Sequence, residues 1–143
     1  MIIKKVFLSS AMDERDEISI KNDRSRILDL FKKYNVEIVY AQNVHHDNLL
    51  LKKSRKEIAE DIVKRDISLL LQCNALFFDY SLENYSYIGC ISEITYAKLF
   101  AIPVVVYCGN KSLNNRWWLV YHSDYITSNI NEAVEMLIEI INQ

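Results

Sequence analysis

"ALFFDYSLENYSYIGCISEITYAKLFAIPVVVYCG", residues 75–109, holds two short apolar runs with a helix-length segment between them. "ALFFDYS" (75–81) and "IPVVVYCG" (102–109) are apolar on successive residues rather than on alternate ones, and each ends in small or polar residues. Runs of this kind read as strands covered on both faces. "CISEITYAKLFA" (90–101) reads as the helix that joins them. A strand, a helix and a strand in that order return the chain in one direction, so the pair is parallel.

The same alternation extends in both directions. "IIKKVFLSS" (2–10) reads as a first strand and residues 12–35 as a helix, with Ile18, Ile27, Leu28, Leu30 and Phe31 as its apolar residues and Asn35 as its C-cap. "VEIVYAQ" (36–42) reads as a second strand, followed by a polar connection over residues 43–53. Residues 54–74 form the clearest helix: Ser54 and Glu57 have the spacing of a capping box, and Ile58, Ile62, Ile67 and Leu70 keep a helical beat. Beyond residue 109, "RWWLVYHSDYIT" (116–127) is expected to hold a short strand near 117–121. Residues 129–143 close the chain as a helix with Ala133, Leu137, Ile140 and Ile141 on one side. The order β-α-β-α-β-α-β-(β)-α predicts an α/β fold: a flavodoxin- or Rossmann-like parallel sheet of about five strands with helices on both faces.

Composition narrows the function. At 143 residues, half of them apolar, the chain is expected to form a single domain over residues 1–143 with a core that needs no staples. A net charge of −2 excludes a general electrostatic grip on a nucleic-acid polymer. No run is long enough to span a membrane, and the beginning does not read as a signal peptide. Cys73, Cys90 and Cys108 are odd in number and widely spaced, which suits small apolar core residues in a reducing, cytoplasmic setting. His45, His46 and Asp47 have no third ligand at zinc spacing, so no metal and no cofactor is expected.

In parallel sheets ligands bind beyond the carboxyl ends of the strands, where the strand order reverses. That rule selects residues 9–12, 79–89 and 108–115. Asp79 and Ser81 close a buried strand at this edge, where a polar pair serves either a ligand or the cap of a turn. Tyr80, Tyr85 and Tyr87 crowd the same loop, placed to stack on a base or sugar or to form a subunit contact. Glu93 is expected in the first turn of its helix, where the dipole keeps a carboxylate ionised, four residues after Gly89, which would let a ligand approach closely. An ionised, held carboxylate can attack an anomeric carbon or stabilise a cationic sugar; the bland alternative is a solvated helix acid. Asp66, on the preceding helix, is either a second site carboxylate or part of an exposed charged stripe.

Four stretches resemble the nucleoside 2-deoxyribosyltransferase superfamily, and in length and layout its N-glycosidases of nucleoside 5′-monophosphates: "KVFLSSAM" (5–12), "DISLLLQCNALFFDYS" (66–81), "GCISEITYAKLFAIPVVV" (89–106) and "NINEAVEML" (129–137). The resemblance implies cleavage of an N-glycosidic bond of a nucleoside or nucleotide, by hydrolysis or deoxyribosyl transfer. It makes Glu93 the nucleophile at C1′ and Asp66 the residue that assists the glutamate or the leaving base. It also implies that Ser9, Ser10 and Met12 hold sugar and base, that Ser86, Tyr87 and Gly89 hold the sugar hydroxyl or the 5′-phosphate, and that the protein is a homodimer or larger homo-oligomer. Met12 stands where the monophosphate hydrolases carry an arginine. Tyr87 stands where the transferases carry an acid, which favours hydrolysis over base exchange. Two other readings are a TIR-like NAD glycohydrolase, which "VFLSS" and "SYIGCISEI" faintly resemble, and a nucleotide-binding or signalling module without turnover.

Overall fold

The computed structural model describes residues 2–13, 15–41 and 54–143. His45, His46 and Asp47 lie outside them, as does most of the connection after the second strand. Five strands form one parallel sheet: β1 (Lys4–Ser10), β2 (Val36–Tyr40), β3 (Ala75–Asp79), β4 (Val104–Tyr107) and β5 (Tyr125–Thr127). Among the described residues five helices alternate with them: α1 (Glu17–Phe31), α2 (Arg55–Leu71), α3 (Ile88–Leu99), α4 (Trp117–His122) and α5 (Ile130–Ile141). The strand order is β2-β1-β3-β4-β5, so the chain reverses its direction of winding between β1 and β3. The expected α/β fold, a five-stranded parallel sheet covered on both faces, is the fold observed.

Strand alternation divides the core into two layers. Phe7, Phe78, Val104 and Val106 face α2, α3 and α4, where they meet Leu70, Ile94 and Leu119. Val6, Leu8, Phe77 and Val105 face α1 and α5, where they meet Ile27, Phe31, Leu137 and Ile141. Phe31 sets its edge against Phe77, ring centroids 5.6 Å apart, which fixes α1 on the middle of the sheet. Both layers are apolar, and each fully buried large side chain contributes about 2 kcal/mol.

The helix caps explain the boundaries. Ser54 accepts from the backbone N–H of Glu57 while the Glu57 side chain accepts from Ser54 N–H, the reciprocal box expected from the sequence. Helix α1 starts later than expected because Asp16 caps it, accepting from Ser19 N–H at 2.8 Å, and it ends at Lys32 rather than Asn35. Its apolar face is Ile20, Ile27 and Phe31, while Ile18 is exposed.

One element differs in kind. The strand expected near 117–121 is the helix α4, and the strand β5 follows it at Tyr125–Thr127. The run "WWLVY" has strand-forming residue types, but Leu119 and His122, three apart, are the residues it buries. That is a helical spacing. The edge position beside β4 goes to Tyr125–Thr127, locked by Asp124, whose Oδ2 accepts from Val104 N–H at 2.7 Å.

Gly109, just beyond β4, has φ +56°, and a Cβ there would lie 3.1 Å from Ser81 Cβ. The loops after β3 and β4 therefore close on each other only with glycine at this position. Gly109→Ala is expected to lower stability by about 1–3 kcal/mol in urea unfolding; an unchanged midpoint would show that the two loops do not need this contact.

Candidate active site

Ser9 and Glu93 meet at the carboxyl end of β1. Ser9 shares the sheet face of Phe7 and is buried at 2 % exposure. Its hydroxyl donates to Glu93 Oε1 at 2.6 Å across 84 positions of sequence. Glu93 lies on α3 between Cys90 and Ala97, both buried against the sheet, so its side chain turns inward rather than to solvent. It sits a full turn into the helix, not in the first turn, because α3 begins at Ile88. The dipole benefit expected from the sequence therefore does not govern its charge. Burial does: loss of solvation, with the charge of Asp66 adding to it, pushes the Glu93 carboxyl up to about 7 against the opposing bond from Ser9.

Asp66 lies on α2, which packs against α3. Its Oδ1 accepts from Arg65 Nη2 at 3.1 Å and Nε at 3.3 Å. Burial raises the Asp66 carboxyl above the ordinary range, and Arg65 only partly offsets this. Two acids that both hold protons more tightly than usual thus face each other from neighbouring helices. Cys90 is buried beside them, and its thiol is pushed well up by burial and by Glu93, so it is a neutral thiol.

Asp79 belongs to the other face. It pairs in register with Ser10 and follows Phe77 by two residues, which places it toward α1. Its carboxylate is fully buried. Oδ1 accepts from Ser81 N–H at 3.0 Å and from the Ser81 hydroxyl at 2.5 Å. Oδ2 has no hydrogen-bond donor among the described residues, and the Arg26 guanidinium stands 4.0 Å away. Ser10 and Asp79 are thus separated from Glu93 by the sheet and reach the same ligand space only over its edge.

The loop from Leu82 to Tyr87 is held from inside. Tyr87 is buried, its hydroxyl donates to Leu82 O and accepts from Leu82 N–H, both at 3.0 Å. Its ring packs on Phe78 and Tyr80. Lys111, from the loop after β4, covers both tyrosines, 3.9 Å from the Tyr80 centroid and 4.5 Å from that of Tyr87. Tyr87 therefore shapes the turn that launches α3. Ser86 is exposed, its Oγ accepting from Ile88 N–H at 3.5 Å. Gly89 is exposed in the first turn of α3 with nothing within 4 Å of where a Cβ would be, so a ligand has room beside it.

Basic groups sit under the first loop, and sequence reading did not assign them to the site. Arg24 donates to Met12 Sδ at 3.4 Å and to Ala41 O at 2.5 Å, with Tyr40 beneath it. Arg15 is buried, donates to Ala11 O at 2.9 Å, pairs with Asp23 and lies over the Tyr85 ring. Arg15 precedes α1 and Arg24 lies at its middle, and both turn inward to the loop.

No family model matches the chain, and no curated protein matches it in sequence. Its structure is similar to that of a 2-deoxyribosyltransferase from Bacillus psychrosaccharolyticus, at 14% identity over 91% of this chain and 90% of that one, with a TM-score of 0.64. It is similar to the CMP N-glycosidase BcmB of Clostridium botulinum at 16% identity over 96% and 99% of the two chains, TM-score 0.56. A response regulator receiver protein from Pseudomonas putida also matches, at 12% identity over 97% and 98%, TM-score 0.52.

A raised carboxyl has a consequence for stability. Glu93 favours folding below its ordinary value of 4.5, and that contribution is lost as pH rises through about 7. Glu93→Gln, which removes the buried charge, is expected to gain stability over the native chain by about 3 kcal/mol above that window and little below it. Thermal unfolding at pH 5 and pH 8.5 checks this; an equal difference at both would place the Glu93 carboxylate in solvent. With Glu93 against Ser9 at the carboxyl edge of β1, the chain has the fold seen in a 2-deoxyribosyltransferase and in a CMP N-glycosidase.

Proposed function

We propose that this protein cleaves the N-glycosidic bond of a nucleoside or nucleotide, with Glu93 as nucleophile. The observation that carries the reading is the Glu93 carboxyl: enclosed at the ligand edge of the sheet, bonded to Ser9, and poised at about 7. A carboxylate of that basicity is a better nucleophile than a solvated one, and it is available at neutral pH. The likeness to a deoxyribosyltransferase and to an N-glycosidase acting on CMP supports the choice of bond.

In the reaction, Glu93 Oε2 bonds to C1′ as the C1′–N bond breaks through an oxocarbenium-like state. The electron pair of that bond leaves with the base. Asp66, whose carboxyl burial raises above the ordinary range, protonates the base or orients Glu93. Water then attacks C1′, its proton passes to the Asp66 carboxylate, and Glu93 is released as a carboxylate. Met12, Ser86 and Gly89 border the sugar side, while Ser10, Asp79 and Ser81 line the far side of the strand edge. Tyr87 holds the turn between them. Hydrolysis is favoured over base exchange, because Tyr87 supplies no carboxylate at its position and its hydroxyl is occupied by Leu82.

The protein is read as a cytoplasmic homodimer or larger homo-oligomer. Among the described residues no helix is long and apolar enough to cross a membrane, and the three cysteines are free and buried. Helices α3 and α4 lie side by side and leave Ile88, Leu99, Trp117, Trp118 and Tyr121 exposed. An apolar face of this kind supports an interface between copies. Light scattering at micromolar concentration is expected to give at least a dimer, and Trp117→Glu with Trp118→Glu to give a monomer; a monomeric native chain would contradict this part of the reading.

Base release from a panel of nucleosides, nucleotides and NAD tests the activity. Release from a nucleoside or nucleotide is expected, with kcat/KM rising about tenfold per pH unit up to roughly 7. Glu93→Ala is expected to lower kcat by at least about 10³-fold. Release of nicotinamide alone would favour the TIR-like reading, and no release from any substrate would leave a binding module.

A further inference from the structure

We propose that Ser9 is the positioning residue of the site: its hydroxyl fixes Glu93 Oε1 and leaves Oε2 as the attacking atom. The inference deepens the reading of Glu93 as nucleophile and rests on it.

The geometry carries the assignment. Ser9 is the penultimate residue of strand β1 and is 2 % exposed, so its hydroxyl is enclosed with Glu93 rather than shared with solvent. The contact, at 2.6 Å, has the length of a charge-assisted hydroxyl–carboxylate bond. Glu93 is otherwise flanked by Cys90, Ile94 and Ala97, none of which can donate strongly to a carboxylate. A hydroxyl carries one proton, so it commits one carboxylate oxygen and selects one rotamer of a long side chain. A strand is a stiffer support for that proton than a loop, because a neighbouring strand fixes its backbone. Ser9 lies in register with Phe78 of β3, one residue beyond the last pair of β1 with β2.

The charged surroundings sharpen the point. From α2, Asp66 disfavours a second negative charge, while its neighbour Arg65 is engaged with Asp66 itself. From α3, Cys90 is a neutral thiol close enough to Ser9 to interact with its hydroxyl. Asp13, in the first loop, adds a further negative charge near Cys90. No cation among these groups favours ionised Glu93; Ser9 is the group that does. During attack, negative charge leaves the carboxylate as Oε2 bonds to C1′, and the bond from Ser9 weakens. When water takes C1′ and Oε2 is released, it strengthens again. Ser9 would therefore help the second step, in which Glu93 departs as an anion.

The test follows the Glu93 carboxyl carbon by NMR titration in the full chain, beside the pH dependence of base release, for Ser9→Ala and Ser9→Thr. In Ser9→Ala the Glu93 midpoint is expected to rise by about one pH unit or more, the size of a lost bond to a charged group. Base release at pH 6 should fall about tenfold through kcat, with KM little changed. Ser9→Thr keeps the hydroxyl and should titrate like the native chain, which a purely structural role for Ser9 does not require. If Ser9→Ala does not fold, Ser9→Cys, similar in size and a weak donor, is read in the same way. A Glu93 midpoint unchanged in the variant that lacks the hydroxyl overturns the proposal. So does a midpoint in Ser9→Thr that follows the alanine variant. If the native chain releases no base from any substrate, the glycosidase reading fails, while the titration alone still decides whether Ser9 sets the charge of Glu93.

Discussion

The parallel pairing of β1 with β3 is the constraint on which the rest depends. The register from Val6 opposite Ala75 to Ser10 opposite Asp79 brings together two strands whose following helices pack on opposite faces of the sheet. The loops beyond them must diverge, and a crevice opens where they part. Because strand side chains alternate, adjacent residues of β1 go to different sides of that crevice: Ser9 to the α3 side, where Glu93 waits, and Ser10 to the α1 side with Asp79. A shift of one residue in this register would turn Ser9 away from Glu93 and Phe7 and Phe78 out of their layer.

The crevice is costly, and the fold makes up the cost elsewhere. A carboxylate enclosed with a second acid nearby is unfavourable at neutral pH, and Asp79 is buried with one oxygen lacking a donor among the described residues. The sheet interior is the offset. Phe7, Phe77, Phe78 and Leu76 are fully buried beneath these groups, and the helices on both faces pack on apolar side chains. Unfavourable polar burial of this type is a feature of sites rather than of cores. The tyrosine cluster is part of the same arrangement. Tyr87 ties its hydroxyl to Leu82 and lends its ring to Lys111, so the turn before α3 is stiff and Glu93 is presented from a fixed support.

Much of this was legible in the residues. The runs 75–81 and 102–109 gave away the sheet because a doubly covered strand shows successive apolar residues ending at a turn. The capping box at Ser54 and Glu57 was legible because it is a local, backbone-level interaction. The site was partly legible: Glu93 stood out by type and by its place at the strand edge, and Ser9 by its place in the first loop. What escaped was what depends on the third dimension. The ionisation of Glu93 follows from burial, which residue type does not reveal, and so the dipole argument pointed the wrong way. The α4 segment escaped because Trp, Val and Tyr favour strands in isolation, while the packing of Leu119 and His122 decides for a helix. The division of Ser9 from Ser10, and of Glu93 from Asp79, needs the register. The inward turn of Arg15 and Arg24 needs the first loop in place.

The account stands on Glu93 forming a bond to the sugar. The most direct measurement is the mass of the protein after reaction with a substrate whose second step is slowed, such as a 2-fluorinated nucleoside or nucleotide of the class that releases base, followed by peptide mapping of the quenched sample. The account expects a mass gain equal to the sugar moiety, carried on a peptide that contains Glu93, and absent from Glu93→Gln. Turnover with no adduct on that peptide, or an adduct on any other side chain, would contradict it.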